Sequence, residues 1–169
     1  NLIMRAYLGI DVGYVDVNLK NNFDVLEKVK SQHLTLYFWN DLSENEAERI
    51  SKKLKYFQNK SFVVEATEVY GFPNKTNPHL VALKFNSLDK LVELRKDVLS
   101  YLNLVGDLNF EPHITLYRKK KLDSSFKESK EFLEIIGGVK VKISNVSLYS
   151  SNPDKGLNEY KLIQKKILS

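Results

Sequence analysis

One four-residue phrase occurs twice in this chain, and both copies have the alternation of a β-strand. His33 to Leu36 reads HLTL, and His113 to Leu116 reads HITL. In a strand, residues i and i+2 point to the same face, so each phrase presents a histidine and a threonine on one surface and two apolar side chains on the other. The repeat therefore predicts two strands, each with one polar face that can carry catalytic groups and one apolar face that packs in the core.

The rest of the chain alternates between strand-like and helix-like segments. Strands are predicted at residues 5–12, 33–39, 62–70, 79–85, 110–119, 139–149 and 159–168, and helices at 23–30, 43–59, 87–101 and 125–136. Ser43 and Ser87 are predicted to cap two of these helices, and turns are expected at 71–74 and 153–156.

This succession predicts an α+β fold with two pseudo-symmetric lobes, each an antiparallel or mixed sheet flanked by helices. We expect residues 1–169 to form a single bilobal domain in which each lobe contributes one histidine phrase.

Composition narrows the class of protein. The chain is 43% hydrophobic and 28% charged, as ordinary globular proteins are. It has no apolar run of the roughly 20 residues that a membrane helix needs, and residues 1–6 show no signal-peptide pattern, so we expect a cytoplasmic protein without a membrane partner. Because cysteine is absent, disulfides, thiolate nucleophiles and cysteine-ligated metals are excluded. The net charge of +5 suits a phosphate-bearing partner, although a solvated lysine-rich surface is the commoner explanation.

The paired phrases predict acid–base chemistry. Two imidazoles that converge on one groove can accept and donate a proton near neutral pH, and the hydroxyls of Thr35 and Thr115 are donors for a phosphate oxyanion. This set suits the attack of water on a phosphodiester whose leaving oxygen must be protonated, and it needs no metal or other cofactor. A single histidine in a strand is more often structural, and His79, which lacks a threonine two residues later, is interpreted in that way.

With both phrases in place, the chain resembles the 2H phosphoesterase superfamily, and within it the RNA 2′,3′-cyclic phosphodiesterases, also called 2′-5′ RNA ligase-like proteins. The resemblance extends over RAYLGIDV, HLTLYFWND, GFPN, FEPHITLYR, SLYSSNP and EYKLIQKKIL. It implies metal-independent hydrolysis of an RNA or nucleoside 2′,3′-cyclic phosphate to a 2′-phosphate. By position, it makes His33 the general acid and His113 the general base, with the two roles open to exchange, and it gives Thr35 and Thr115 the phosphate oxygens.

The resemblance also adds Arg118 as a cationic contact to the substrate. Strict strand alternation places Arg118 on the opposite face from His113 and favours Lys119 instead, unless the strand ends or bulges there. Tyr37 and Trp39 have the same parity as His33, and two interpretations stay open for them: stacking on an RNA base or packing at the sheet edge.

Two alternatives to hydrolysis are kept. The first is a module that binds nucleotides or RNA ends without reacting, and the second is the joining of RNA ends through a 2′-5′ linkage. In every case the expected partners are RNA 3′ ends or nucleoside 2′,3′-cyclic phosphates. We expect a monomer that requires no protein partner. A role in tRNA processing, repair or nucleotide turnover stays open.

Overall fold

The computed structural model describes residues 3–15, 17, 26–72, 79–121, 134–151 and 160–169. In these ranges the chain forms nine strands and two helices. The strands are β1 (Ile3–Gly13), β2 (Leu26–Lys28), β3 (Gln32–Ser43), β4 (Phe62–Phe72), β5 (Leu80–Phe85), β6 (Thr115–Lys119), β7 (Glu134–Ile143), β8 (Asn145–Ser151) and β9 (Tyr160–Ile167). The helices are α1 (Glu44–Leu54) and α2 (Asp89–Tyr101).

The strands form two antiparallel sheets. The first sheet has the order β3-β1-β8-β9, and the second has the order β2-β6-β5-β4-β7. The HLTL phrase lies in β3 of the first sheet, whereas HITL leads into β6 of the second. The predicted α+β architecture of two lobes is therefore confirmed.

Alternation along β1 explains how the first sheet separates core from cleft. Ala6, Leu8 and Ile10 are fully buried, whereas Tyr7 and Asp11 have the opposite parity and point to the other face. On the core side, α1 contacts β3 and β9 and buries its own apolar residues at helical spacing. The helix thus covers one face of the first sheet and leaves the other for the site.

The two helices are also tied to each other at their ends. The Lys53 Nζ donates to the Tyr101 carbonyl at 3.0 Å, and the Tyr101 hydroxyl donates to the Lys53 carbonyl at 2.7 Å. These reciprocal bonds give a backbone carbonyl in the last turn of each helix a side-chain partner from the other helix. None of the helices in the described ranges is long and apolar enough to span a membrane.

Three of the predicted elements were wrong in the described part of the chain. The segment predicted as a helix at 23–30 contains strand β2, which pairs with β6 from Leu26 to Lys28. A short helix is only marginally stable, whereas a strand that pairs in a sheet is stabilised by its neighbour. The predicted helix at 125–136 is strand at 134–136, with 125–133 outside the described residues. The predicted strand at 139–149 is two strands, since β7 pairs with β4 and β8 pairs with β1 and β9 on either side of Ser144.

Several element ends also differ from the predictions. The first of the two helices ends at Leu54 and not near Asn59, and the strand predicted at 110–119 begins only at Thr115. The second helix has Leu88 as its N-cap residue and no side-chain cap, so the prediction of Ser87 as cap was wrong. The predicted turn at 153–156 lies outside the described residues, as do residues 73 and 74 of the other turn. Gly71 and Phe72 of that turn belong to β4.

The confirmed cap at Ser43 allows a stability test. Its hydroxyl accepts the Glu46 N–H at 3.2 Å, so Ser43→Ala should lower the free energy of unfolding by about 1 kcal/mol in urea titrations. Ser87→Ala is the matched control: the Ser87 hydroxyl meets the Asp89 N–H only at 3.4 Å, and its loss should cost less than about 0.5 kcal/mol. Equal losses in the two variants would contradict the capping assignment.

Candidate active site

A single β-bridge joins the two histidine phrases. Leu34 and Ile114, both fully buried, pair in antiparallel orientation outside the named strand pairings. The antiparallel register, continued by one residue on each side, sets His33 opposite Thr115 and Thr35 opposite His113. All four of these side chains are half-buried. The bridge therefore brings the two imidazoles and the two hydroxyls to one place between the sheets.

Backbone contacts hold each phrase at this meeting point. The Leu83 N–H donates to the Ile114 carbonyl at 3.0 Å, which connects HITL to β5. On the other side, β1 pairs with β3, and Gly9 is opposite Thr35. A Cβ atom on Gly9 would lie 2.8 Å from the Leu34 carbonyl oxygen, too close for any side chain. Glycine is thus required where β1 passes the phrase.

His33 lies against aromatic rings at the floor of the cleft. Its ring stacks on Tyr7 with centroids 4.6 Å apart, and Tyr7 stacks on Tyr149 at 4.9 Å. Tyr160 meets Tyr7 edge-on at 4.8 Å. Together with Asp11, these residues line an open cavity of about 340 Å³ beside His33. The packing restricts the orientation of the imidazole while one side of it faces the cavity.

The electrostatic surroundings of His33 disfavour its charged form. Burial lowers the pKa of His33, and the electrostatic effects of Arg118 and His113 lower it further, whereas Asp11 opposes the shift. Arg118 and His113 both belong to the segment of the second sheet that contains HITL and β6. Residues of the second lobe therefore influence the charge state of a histidine in the first.

His113 is oriented by its own backbone. Its Nδ1 lies 3.0 Å from the Glu111 carbonyl oxygen. A carbonyl oxygen only accepts hydrogen bonds, so Nδ1 must carry the proton of this bond. In the neutral ring Nε2 is then the unprotonated nitrogen. This tautomer leaves Nε2 as the atom that can take a proton.

Strand β6 is irregular shortly before Arg118. Tyr117 pairs with Val81 and Thr115 pairs with Ala82, so Leu116 is an extra residue between them. A bulge of this kind resets the alternation of side chains. Arg118 is exposed, and its charge acts on His33, whereas Lys119 pairs with Leu26 at the edge of the sheet.

The structure separates the aromatic residues chosen from the sequence from those beside His33. The rings of Tyr37 and Trp39 contact each other at 4.7 Å and pack against the hydrophobic core, as the packing interpretation expects. The rings that line the His33 cavity are those of Tyr7, Tyr149 and Tyr160, which the sequence analysis missed. A signal for Tyr7 was present, because it alternates with the buried residues of β1.

Asp11 is the acidic neighbour of His33, and it is held by a polar network. It is the cross-strand partner of His33. Its carboxylate accepts from Lys165 Nζ and from the Gly13 N–H, both at 2.9 Å. Burial would raise the pKa of Asp11, but these hydrogen bonds outweigh it and lower the pKa below its ordinary value. The Asn145 side chain also bonds both backbone groups of Asp11, at 3.0 and 2.7 Å.

The groups around the cleft suit proton transfer and oxyanion binding. They comprise two half-buried imidazoles, two half-buried hydroxyls and an exposed guanidinium. Among the residues that the structure describes, no three histidine, aspartate or glutamate side chains are grouped to hold a metal ion.

Comparisons with known proteins give one curated relative and several similar folds. No protein-family model matches the chain. A curated RNA 2′,3′-cyclic phosphodiesterase from Archaeoglobus fulgidus is 28% identical over 92 residues, which are 53% of this chain and 52% of that protein. The match therefore spans about half the length of the curated relative.

The structural similarity extends over nearly the whole chain. The crystal structure of E. coli LigT complexed with phosphate superposes with a TM-score of 0.69 and 18% identity, covering 100% of this chain and 99% of LigT. The protein TT0787 of Thermus thermophilus gives 0.68 and 18% identity, with 97% of both chains covered. The chain has the LigT fold. The fold that the resemblance implied is thereby confirmed.

The lowered pKa of His33 predicts a pH-dependent stability. The unfolded chain binds a proton at an ordinary histidine pKa of about 6.5, whereas folded His33 binds it only at lower pH. Above about pH 6.5, His33 is neutral in both states and does not change the free energy of unfolding. As the pH falls below this value, the unfolded chain binds the proton first, so the folded state loses stability. Between about pH 8 and about pH 5, His33→Gln should lose less free energy of unfolding than the wild type does.

The control for this titration is His79→Gln, which replaces an exposed histidine just before β5. It should retain the wild-type pH dependence in urea titrations. A His33→Gln variant whose stability falls in parallel with the wild type would contradict the electrostatic description of His33.

Proposed function

We infer that this protein is a phosphoesterase of the 2H type, which hydrolyses RNA or nucleoside 2′,3′-cyclic phosphates to 2′-phosphates. The observation that carries the inference is the Leu34–Ile114 bridge, since it brings the two His-x-Thr pairs together from separate sheets. The A. fulgidus relative of that name supports the reaction class. Structures of LigT with phosphate and with 3′-AMP support a phosphate or nucleotide ligand for the same fold.

In the proposed reaction, His113 acts as the general base. Its Nε2 takes a proton from water, and the Nδ1–H bond to the Glu111 carbonyl stabilises the imidazolium that forms. The water oxygen then forms a bond to phosphorus opposite the 3′ oxygen. As the bond between phosphorus and the 3′ oxygen breaks, the 2′-phosphate remains on the sugar.

His33 acts as the general acid on the other side of the phosphorus. It donates a proton to the departing 3′ oxygen, which becomes a hydroxyl. In the free protein, burial together with Arg118 and His113 lowers the pKa of His33. A bound phosphate anion offsets the positive charge of Arg118, so the substrate itself favours the protonated form of His33.

The remaining groups bind the phosphate. The Thr35 and Thr115 hydroxyls donate to the non-bridging oxygens, whose charge increases in the transition state. Arg118 supplies a positive charge across the cleft from His33. Each phrase thus contributes one proton-transfer group and one phosphate ligand to a single centre.

The reaction predicts which substitutions abolish turnover. His33→Ala and His113→Ala should each lower kcat by about 10²-fold to 10⁴-fold on a 2′,3′-cyclic nucleotide, because each removes one proton transfer. His79→Ala should retain activity, and added EDTA should change nothing. Full activity in either site variant would refute the proposal. Tight binding of a 2′-nucleotide without turnover would indicate the binding module instead, and a 3′-phosphate product would reverse the leaving group.

The acid and the base can be separated by changing the leaving atom. In a cyclic substrate with sulfur in place of the 3′ oxygen, the leaving group is a thiolate. Its conjugate thiol has a pKa of about 8.5, so the thiolate needs little protonation as it leaves. His33→Ala should therefore recover most of its loss on this substrate, whereas His113→Ala should not. The opposite pattern would exchange the two roles and leave the reaction class intact.

A further inference from the structure

A second cavity continues the cleft away from the His33–His113 pair. Its volume is about 490 Å³, and both sheets contribute to its walls. The first sheet supplies the end of β1, Asn145 and Lys165, and the second supplies β7. Asp11 lines this cavity and also the one beside His33. The two spaces therefore adjoin at Asp11, and we call the second one the lysine arm.

The lysine arm is positively charged. Lys140, Lys142 and Lys165 line it, against Asp11 as the one acidic residue of its lining in the described part of the chain. In β7, Val141 and Ile143 are buried whereas Lys140 and Lys142 are exposed. Strand alternation thus directs the apolar side chains to the core and the ammonium groups to the other face.

The three lysines differ in how far their charges are compensated. Lys165 donates to Asp11 at 2.9 Å, and Lys140 lies 3.8 Å from the Glu65 carboxylate, with both side chains of this second pair largely exposed. Lys142 makes no ion pair with any residue that the structure describes. A cleft with one prevailing sign of charge concentrates counter-charged ligands. The arm thus favours an anion with more than one charge along its length.

We propose that the lysine arm binds the sugar–phosphate backbone of an RNA strand on the 5′ side of its cyclic end. The proposal rests on the hydrolytic function inferred above and specifies its substrate as an oligonucleotide. A cyclic mononucleotide has no phosphate upstream of the reacting one, so it leaves the arm empty. An RNA strand places one phosphate per nucleotide along the cleft, within reach of ammonium groups that bind phosphate as point charges.

The test compares two substrates in wild-type and variant proteins. One substrate is a 2′,3′-cyclic mononucleotide, which reports on the histidine site, and the other is a six-nucleotide RNA with the same cyclic end. Lys142→Gln and Lys140→Gln/Lys142→Gln remove charges from the arm. Lys55→Gln is the matched control, because Lys55 is exposed at the C-terminal end of α1.

The ratio of kcat/KM for the RNA to kcat/KM for the mononucleotide should fall several-fold in Lys142→Gln and further in the double variant. Plotted against log salt concentration, log kcat/KM for the RNA falls with a negative slope. The magnitude of this slope should become smaller by about 0.7 for each phosphate contact removed. The control should match the wild type in both quantities. An unchanged ratio and slope in the double variant would overturn the proposal.

Failure of the inferred hydrolysis gives a different result. If the wild type hydrolyses neither substrate, binding of a six-nucleotide RNA ending in a 2′-phosphate, followed by fluorescence anisotropy, tests the arm by itself. Weaker binding by the double variant than by Lys55→Gln would support the arm as an RNA site. Equal binding would refute it.

Discussion

The pairing of Leu34 with Ile114 is the contact on which the site depends. Both side chains are fully buried, so the hydrophobic core keeps the pair in place. Strand alternation then gives the neighbouring histidines and threonines the opposite face from this buried pair. A substitution that loosened this pair would separate the two sheets and the two halves of the chemistry together.

The electrostatics of the cleft follow from the same meeting of lobes. The second lobe brings Arg118 and His113 toward His33, and both lower its pKa in addition to burial. Asp11 raises the pKa of His33 in the opposite direction, although its carboxylate is also paired with Lys165. Positive charge near His33 therefore exceeds negative charge, and a bound phosphate anion would balance it. The lowered pKa of His33, the two threonine hydroxyls and the lysine arm all favour the binding of an anion.

Much of this arrangement could be predicted from the sequence, because local alternation determines which residues share a face. The repeated phrase identified β3, the segment that leads into β6, and a fold of two lobes. The parity of Arg118 could not be resolved, since the bulge at Leu116 depends on how β6 pairs with β5. Nor could the strand at Leu26–Lys28 be recognised, because only its pairing with β6 distinguishes it from a helical turn.

The aromatic floor illustrates the same limit. Tyr149 and Tyr160 come from strands far from His33 in the sequence, and only the order of the first sheet brings them to Tyr7. Tyr37 and Trp39 had the correct parity, but parity gives a face and not a position along the strand. Predictions based on periodicity thus identify the face of a site more readily than its boundaries.

The account is tested most directly by asking whether both imidazoles face the same phosphate. Inorganic phosphate would be titrated into protein labelled with ¹⁵N at histidine, and the imidazole signals followed by NMR. We predict that the His33 and His113 signals shift together with one dissociation constant, while the His79 signal stays in place. A shift of only one of the two, or two different dissociation constants, would contradict a shared site.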